Sequence, residues 1–86
     1  MQLEDFYMKT YPLSQVNLNH TAIVDSLDCS SNLRRRLLDL GLCKNTRDNP
    51  IFRSFSGDPT AYNIRGTTIA IRDDDAKHIL VRLENI

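Results

Sequence analysis

The stretch SSNLRRRLLDLGL, at residues 30–42, decides how this chain folds. Leu33, Leu37 and Leu40 recur at i, i+4 and i+7, the spacing that places side chains on one face of an α-helix. A serine hydroxyl before the first leucine can cap the first turn, and Gly41 suits the left-handed position that follows a last turn. The stretch therefore predicts a helix over about residues 31–40 that packs on the core through its leucines.

Three consecutive arginines make the polar side of this predicted helix basic. At about 100° per residue, Arg35 points away from the leucines, while Arg34 and Arg36 lie beside them, with the stem of Arg34 over apolar surface and its head in water. The basic face is either a set of solvated charges or a docking surface for an anionic partner. Leu38 lies off the main stripe, so it is either a wide core contact or an exposed apolar anchor.

Length and charge restrict the class of protein. The chain has 86 residues, which fits one small domain, and such a domain has a thin stability margin, so self-association is possible. Its 11 basic and 11 acidic residues cancel, which argues against nucleic-acid binding through a strongly basic surface.

The two cysteines and the apolar runs predict a cytoplasmic location. Cys29 and Cys43 lie at the two ends of the predicted helix, beyond disulfide reach, and are expected to be reduced thiols. No apolar run approaches the roughly 20 residues of a membrane span, and the N-terminus lacks the apolar region of a signal peptide. We therefore expect no direct membrane insertion.

The rest of the chain is dominated by short β-rich runs. We take residues 1–10 as an N-terminal extension and 11–86 as the domain. Strands are predicted at residues 20–27, 46–54, 60–65, 67–72 and 79–83, with a helical turn at 73–78. About five strands, with one main helix after the first strand, predict a mainly β fold in the form of a small, partly open β-barrel.

Turn residues separate these runs. Arg65-Gly66 predicts a tight hairpin, and Asn45 suits a left-handed position after the helix. In the turn Gly57-Asp58-Pro59 we expect Asp58 to accept a hydrogen bond from its own backbone, although direct contact with a partner is an alternative. The turn positions are Gly41, Asn45, Gly57, Asp58, Pro59 and Gly66.

No catalytic constellation is visible, and the chain is not expected to be an enzyme or to hold a cofactor. The three glycines are too far apart to form a phosphate-binding loop, and no local signature joins a cysteine to a histidine. Asp74, Asp75 and His78 are weak candidates for a metal site. The alternative is that the aspartates cap a short helix and that His78 is a surface residue.

Four blocks of sequence, in this order, carry a resemblance to a known family. They are LRRRLLDLGL at 33–42, GDP at 57–59, IRGTTIAIR at 64–72 and DAKHILV at 75–81. The set resembles the FeoA family of ferrous iron transport proteins over about residues 12–83. The resemblance implies an SH3-like β-barrel and a cytosolic accessory role beside FeoB, the membrane permease with a GTP-binding domain. The apolar and basic composition of the helix suggests, as a hypothesis, that Arg34, Arg35, Arg36 and Leu38 form part of the partner surface.

The same fold occurs in the C-terminal domain of iron-dependent repressors, so the fold alone does not fix the function. The alternative is a stand-alone regulatory domain that senses metal or binds a peptide segment. The chain also departs from the family pattern. Asn19 and Lys44-Asn45 stand where glycine turns are common, and asparagine can adopt the same left-handed geometry. Phe55 stands where smaller residues are frequent, and it is either an exposed contact residue or a plug at the barrel mouth.

Overall fold

Short β-rich runs divided by turn residues build this chain into one antiparallel sheet. The computed structural model describes residues 9–84, so most of the predicted extension, residues 1–8, lies outside the described residues. In chain order the elements are β1 (Tyr11–Pro12), a 3₁₀ turn (Leu13–Gln15), β2 (Ala22–Leu27), α1 (Ser31–Asp39), β3 (Arg47–Arg53), β4 (Thr60–Ile64), β5 (Thr67–Ile71), α2 (Asp73–Ala76) and β6 (Ile79–Leu83). Within residues 9–84, no helix has the length and apolar character needed to cross a bilayer.

The sheet has six strands in the order β1-β6-β2-β3-β4-β5 and remains open between its edge strands β1 and β5. The mainly β fold with one main helix is confirmed, and the sheet does not close into a barrel, whereas the count of about five strands is wrong because the sheet has six. The strand missed from the sequence is β1, which pairs Tyr11 with Val81. Two residues are too short to show the alternation by which a strand is recognised.

β2 lies at the centre of the sheet but pairs unequally with its two neighbours. It pairs with β6 at five positions, with a bulge between Val24 and Ser26. It pairs with β3 only at Ala22 and Ile23. Two further hydrogen bonds join Val24 to the segment before β3, namely Val24 N to Thr46 O (2.9 Å) and Asn45 N to Val24 O (2.7 Å). β3 begins at Arg47, opposite Ile23, so it does not extend along the second half of β2, which borders α1 instead.

α1 has the capping groups that the sequence predicts. The Ser30 hydroxyl accepts a hydrogen bond from the Leu33 N–H (3.3 Å). At the other end, Gly41 has a φ of 100°. The Leu42 N–H donates to the Leu37 carbonyl (3.0 Å), the bond that defines a Schellman motif.

The apolar face of α1 differs from the prediction at its last position. Leu37 is buried and Leu33 is half-buried, as expected, but Leu40 is 41% exposed. The reason is that the helix ends before Leu40, and the chain reverses at Gly41 and brings Leu42 into the core instead.

The core is formed by side chains of the sheet together with Leu37 of α1, Ala76 of α2 and Leu13 of the 3₁₀ turn. Leu83 is 40% exposed, because it is the last residue of β6 and borders a surface depression with Tyr11 and Val16. The buried core residues are Leu13, Val16, Ala22, Val24, Leu27, Leu37, Leu42, Tyr62, Ile64, Ile71, Ala76, Ile79 and Val81.

The left-handed backbone conformations predicted at the asparagines and in the hairpin turn are confirmed. Asn19 and Asn45 have φ values of 68° and 70°, and Arg65 and Gly66 have values of 53° and 84°. The β4–β5 connection is therefore a two-residue hairpin turn with both central residues left-handed, the geometry that suits the twist of the flanking strands.

The Asp58 side chain links two distant segments instead of bonding its own backbone. Its Oδ1 accepts a hydrogen bond from the Asp73 N–H (2.9 Å), and no side chain of α2 caps that helix. The prediction that the aspartates of α2 cap their own helix is therefore wrong. The turn around Asp58 holds the start of α2, so its structural role extends beyond the turn itself.

Replacing Asp58 with alanine should lower the free energy of unfolding by about 1 kcal/mol, because the Asp73 N–H loses its capping acceptor. Asp58→Asn keeps an oxygen in the same place and should cost much less. Urea unfolding of both variants measures the difference. Equal losses in the two variants would contradict the capping role.

Asp48 is a buried carboxyl on the core side of β3. It is fully buried, and neither carboxylate oxygen has a hydrogen-bond partner among the described residues. Its register partners on the two neighbouring strands are Ala22 and Ile64, both apolar and buried. Because the charged form is desolvated there, burial raises the pKa of Asp48 from 3.8 to about 7. Below about pH 7 the side chain is therefore accommodated mainly in its neutral form.

This carboxyl should make the protein less stable as the pH rises. Asp48 keeps its proton to a higher pH in the folded protein than in the unfolded chain, so the stability it contributes is complete below pH 3.8 and is lost as the pH rises through about 7. Between about pH 5 and about pH 8 the free energy of unfolding should fall by about 2 to 3 kcal/mol.

Urea unfolding across this pH range measures the effect, with Asp48→Asn as the matched variant. The amide cannot ionise, so the fall should largely disappear. A wild-type profile that is flat between the two pH values, or an equally steep one in the variant, would refute the assignment to Asp48.

Candidate partner-binding surface

The outer face of α1 places three arginines in three different environments. Arg35 is exposed and has no acidic partner among residues 9–84. Arg34 donates from Nη2 to the Leu27 carbonyl oxygen (3.0 Å), so its head is held against the end of β2 instead of lying free in water, as the sequence predicted. Arg36 forms an ion pair with Asp75 of α2 (3.1 Å). Arg35 is thus the arginine of this run whose charge is not engaged within the described fold.

Apolar side chains lie beside these arginines. Leu38 is 43% exposed, which resolves the two interpretations of this residue in favour of an exposed position. Leu40 is also exposed, at the end of the same helix. Arginine is enriched in protein interfaces, and the exposed leucines beside it add apolar area of the kind that the centre of an interface buries.

A groove of about 360 Å³ runs between α1 and the second half of β2. It exists because β3 begins at Arg47, opposite Ile23, so among the described residues no strand pairs with this edge of the second half of β2. A shallower depression of about 310 Å³ adjoins it on the helix and is bordered by Arg35 and Asp39. The groove is lined by Val24, Asp25, Ser26, Leu27, Arg34, Leu38, Leu42 and Lys44.

Phe55 is fully exposed in the connection between β3 and β4. Of the two interpretations made from the sequence, the exposed position is the one observed. Neither the groove nor the depression on α1 includes Phe55. The structure therefore does not place Phe55 with the arginines in one continuous surface.

The weak metal candidates do not converge. Asp74 lies 3.6 Å from the Lys77 ammonium, and Asp75 is paired with Arg36. His78 has its Nδ1 2.9 Å from the Asp28 carbonyl oxygen. Within residues 9–84, no group of three or more histidine, cysteine or acidic side chains is arranged to hold a metal ion.

A second concave site lies on the other side of Lys44, and reasoning from the sequence missed it. It is a cleft of about 580 Å³ lined by Cys43, Lys44, Asn45, Thr46, Arg47, Asn49, Asn63, Arg65 and Gly66, which we call the basic cleft. The signal available in the sequence was Arg65, which alternation places on the outer face of the hairpin. What was missing is the long-range pairing that brings this hairpin beside residues 43–47.

Two comparisons identify relatives of this fold. The FeoA domain family matches residues 11–83. A FeoA-like protein from Clostridium acetobutylicum shares 29% identity with a TM-score of 0.81, over 87% of each chain. The FeoA of Stenotrophomonas maltophilia, solved with zinc and described as a prokaryotic SH3 domain protein and a candidate ferrous iron transport activating factor, shares 30% identity with a TM-score of 0.70, over 80% of this chain and 86% of that one. The predicted resemblance is thereby confirmed.

A further similarity concerns the fold alone. A manganese-dependent transcriptional repressor solved with manganese has a TM-score of 0.79 at 18% identity, over 87% of this chain and 37% of the repressor. No curated protein sequence gives a significant match to this chain.

Adjacent leucines of α1 should respond very differently to truncation. Leu37→Ala should lower the free energy of unfolding by about 2 to 5 kcal/mol, because Leu37 is 1% exposed and its removal leaves a cavity. Leu38→Ala should cost less than about 1 kcal/mol, because this side chain is already in contact with water. Urea unfolding distinguishes the two variants. Similar losses of stability would show that α1 packs on the core through a different face.

Proposed function

This chain belongs to the FeoA domain family, and from that premise we propose that it is a cytoplasmic accessory protein of bacterial ferrous iron uptake. It acts by contact with the FeoB-type permease and thereby supports or regulates transport. Its family membership and its likeness to a candidate ferrous iron transport activating factor support this function. GTP hydrolysis belongs to the permease in this proposal, since the chain has no phosphate-binding loop.

The observation that carries the proposal is the pairing of Arg35 and Leu38 on one exposed face of a rigidly anchored helix. Leu37 and Leu42 fix the helix on the core, so the outer face is presented without further ordering. A cation with no internal partner and a neighbouring apolar side chain suit a partner that offers a carboxylate beside an apolar residue. The adjoining groove gives room for that apolar residue.

The other candidate contact residues have smaller roles in this proposal. Arg34 and Arg36 already bond within the protein, so they help to shape the surface and to set its charge. Phe55 lies outside the groove and would serve as a separate apolar contact.

The alternative, a stand-alone domain that senses metal, has weaker support. The likeness to the manganese-dependent repressor is at 18% identity and concerns the fold. The candidate metal ligands of this chain are engaged with other groups of the protein. Calorimetric titration with ferrous and manganous ions tests this alternative directly.

Titration of the intact permease in detergent, and of its isolated cytosolic domain, tests the proposal. The double variant Arg35→Ser/Leu38→Ser should lower affinity by more than about tenfold, because it removes both the free charge and the apolar anchor. The measurement is made with and without a GTP analogue and ferrous ion.

A matched control removes the same two residue types elsewhere, in Arg72→Ser/Leu83→Ser, since Leu83 is exposed to nearly the same degree as Leu38. Affinity should be nearly unchanged there. Folded wild-type protein that fails to bind in every nucleotide and metal state would overturn the proposed function. Equal losses in the two double variants would overturn the choice of surface.

A further inference from the structure

The basic cleft carries positive charge and no negative charge on its walls. It lies on the outer face of β3 and β4, with residues 43–46 forming one side. Three of its lining residues are cations, Lys44, Arg47 and Arg65, and none is acidic. The whole chain has a net charge of zero, so this concentration of one sign is a local feature.

Two of these three cations have no acidic partner among the described residues. Arg47 is neutralised by Glu84, with 2.7 Å between Nη2 and Oε1. Lys44 and Arg65 form no ion pair within residues 9–84. Like charges that face one opening repel each other, and an anionic partner removes that repulsion.

Arg65 occupies a backbone position that disfavours arginine. Its φ of 53° is in the left-handed region, at the first central position of a two-residue hairpin turn where Asn, Asp or Gly is preferred. A residue held at a backbone position that its type disfavours points to a function of its side chain. Its Cδ lies 3.5 Å from the point that a Cβ on Gly41 would occupy, so the arginine stem rests on the glycine at the end of α1.

The neutral walls of the cleft are fixed by hydrogen bonds within the protein. Asn45 accepts at Oδ1 from Arg82 Nη2 (2.7 Å), and Asn49 donates from Nδ2 to Thr21 Oγ1 (2.7 Å). Asn63 accepts at Oδ1 from the Gly66 N–H (3.1 Å), which also fixes the hairpin turn that carries Arg65. A cleft held in this way needs little reorganisation when a ligand enters.

From these observations we propose that the basic cleft is a second docking site, which binds a carboxylate-rich peptide segment of a protein partner. The inference rests on the proposed function in one respect, namely that this partner is the permease. The volume of about 580 Å³ holds several side chains, whereas a single small anion would leave most of it empty. Lys44 and Arg65 pair with carboxylates of the segment.

The first test uses defined peptides and the full chain. Nuclear magnetic resonance titration with a glutamate-rich decapeptide should shift the backbone amides of residues 43–47 and 63–66. A lysine-rich peptide should shift none of them. Phosphate at equal concentration should shift them far less than the acidic peptide does. Shifts spread evenly over the protein, no shifts, or tighter binding of phosphate than of the acidic peptide would each overturn the proposal.

The second test uses the permease and variants that keep the fold. Arg65→Asn places a favoured residue in the turn, so it should not lower the midpoint of thermal unfolding, while permease affinity falls about fivefold through the loss of one charge pair. Lys44→Gln should reduce affinity similarly. Arg72→Asn removes an arginine outside the cleft and should leave affinity unchanged.

These experiments distinguish failure of the cleft from failure of the proposed function. Wild-type binding that is unchanged in Arg65→Asn and Lys44→Gln overturns the cleft and leaves the proposed function standing. If the wild-type protein does not bind the permease, the proposed function fails. The peptide titration then tests by itself whether the basic cleft binds an acidic segment, since it does not involve the permease.

Discussion

The short pairing between β2 and β3 is the constraint on which both candidate surfaces depend. The two strands pair at only two positions, because β3 begins at Arg47, opposite Ile23, whereas β2 is paired with β6 at five. On one side of the segment that leads into β3, the unpaired second half of β2 and α1 border a groove. On the other side, residues 43–47 and the hairpin turn line the basic cleft. Lys44 lies in this segment and lines both.

The exposure of Leu38 and Leu40 follows from how α1 ends. A short helix on this sheet buries one stripe of side chains, and the Schellman motif then reverses the chain within two residues. Leu42 consequently takes the core position that heptad-like spacing assigns to Leu40. The helix itself could be predicted from the sequence, because its caps and its spacing are local. Leu42 is buried in place of Leu40 because of the direction in which the chain leaves the helix. The spacing of apolar residues in the sequence does not predict that direction.

The two aspartates that matter most to this fold illustrate the limit of local patterns. Asp48 lies in the polar run Arg47-Asp48-Asn49, where no apolar residue marks which side of the strand faces the core. The face is set by pairing with β2 and β4, which is a tertiary property. Asp58 lies in a turn of the kind where an aspartate often bonds its own backbone, yet its Oδ1 accepts a hydrogen bond from the N–H of Asp73, 15 residues away. The hairpin and the left-handed asparagines were predictable because their causes lie within a few residues.

The arrangement of charge explains how a protein with no net charge can present distinct surfaces. The acidic side chains of α2 are partly neutralised, Asp75 by Arg36 and Asp74 by Lys77. The positive charges of Arg35, Lys44 and Arg65 have no such internal partners in the described structure. Arg65 in particular lies in a turn that asparagine would satisfy at lower cost, which is consistent with the role proposed for its side chain in the basic cleft.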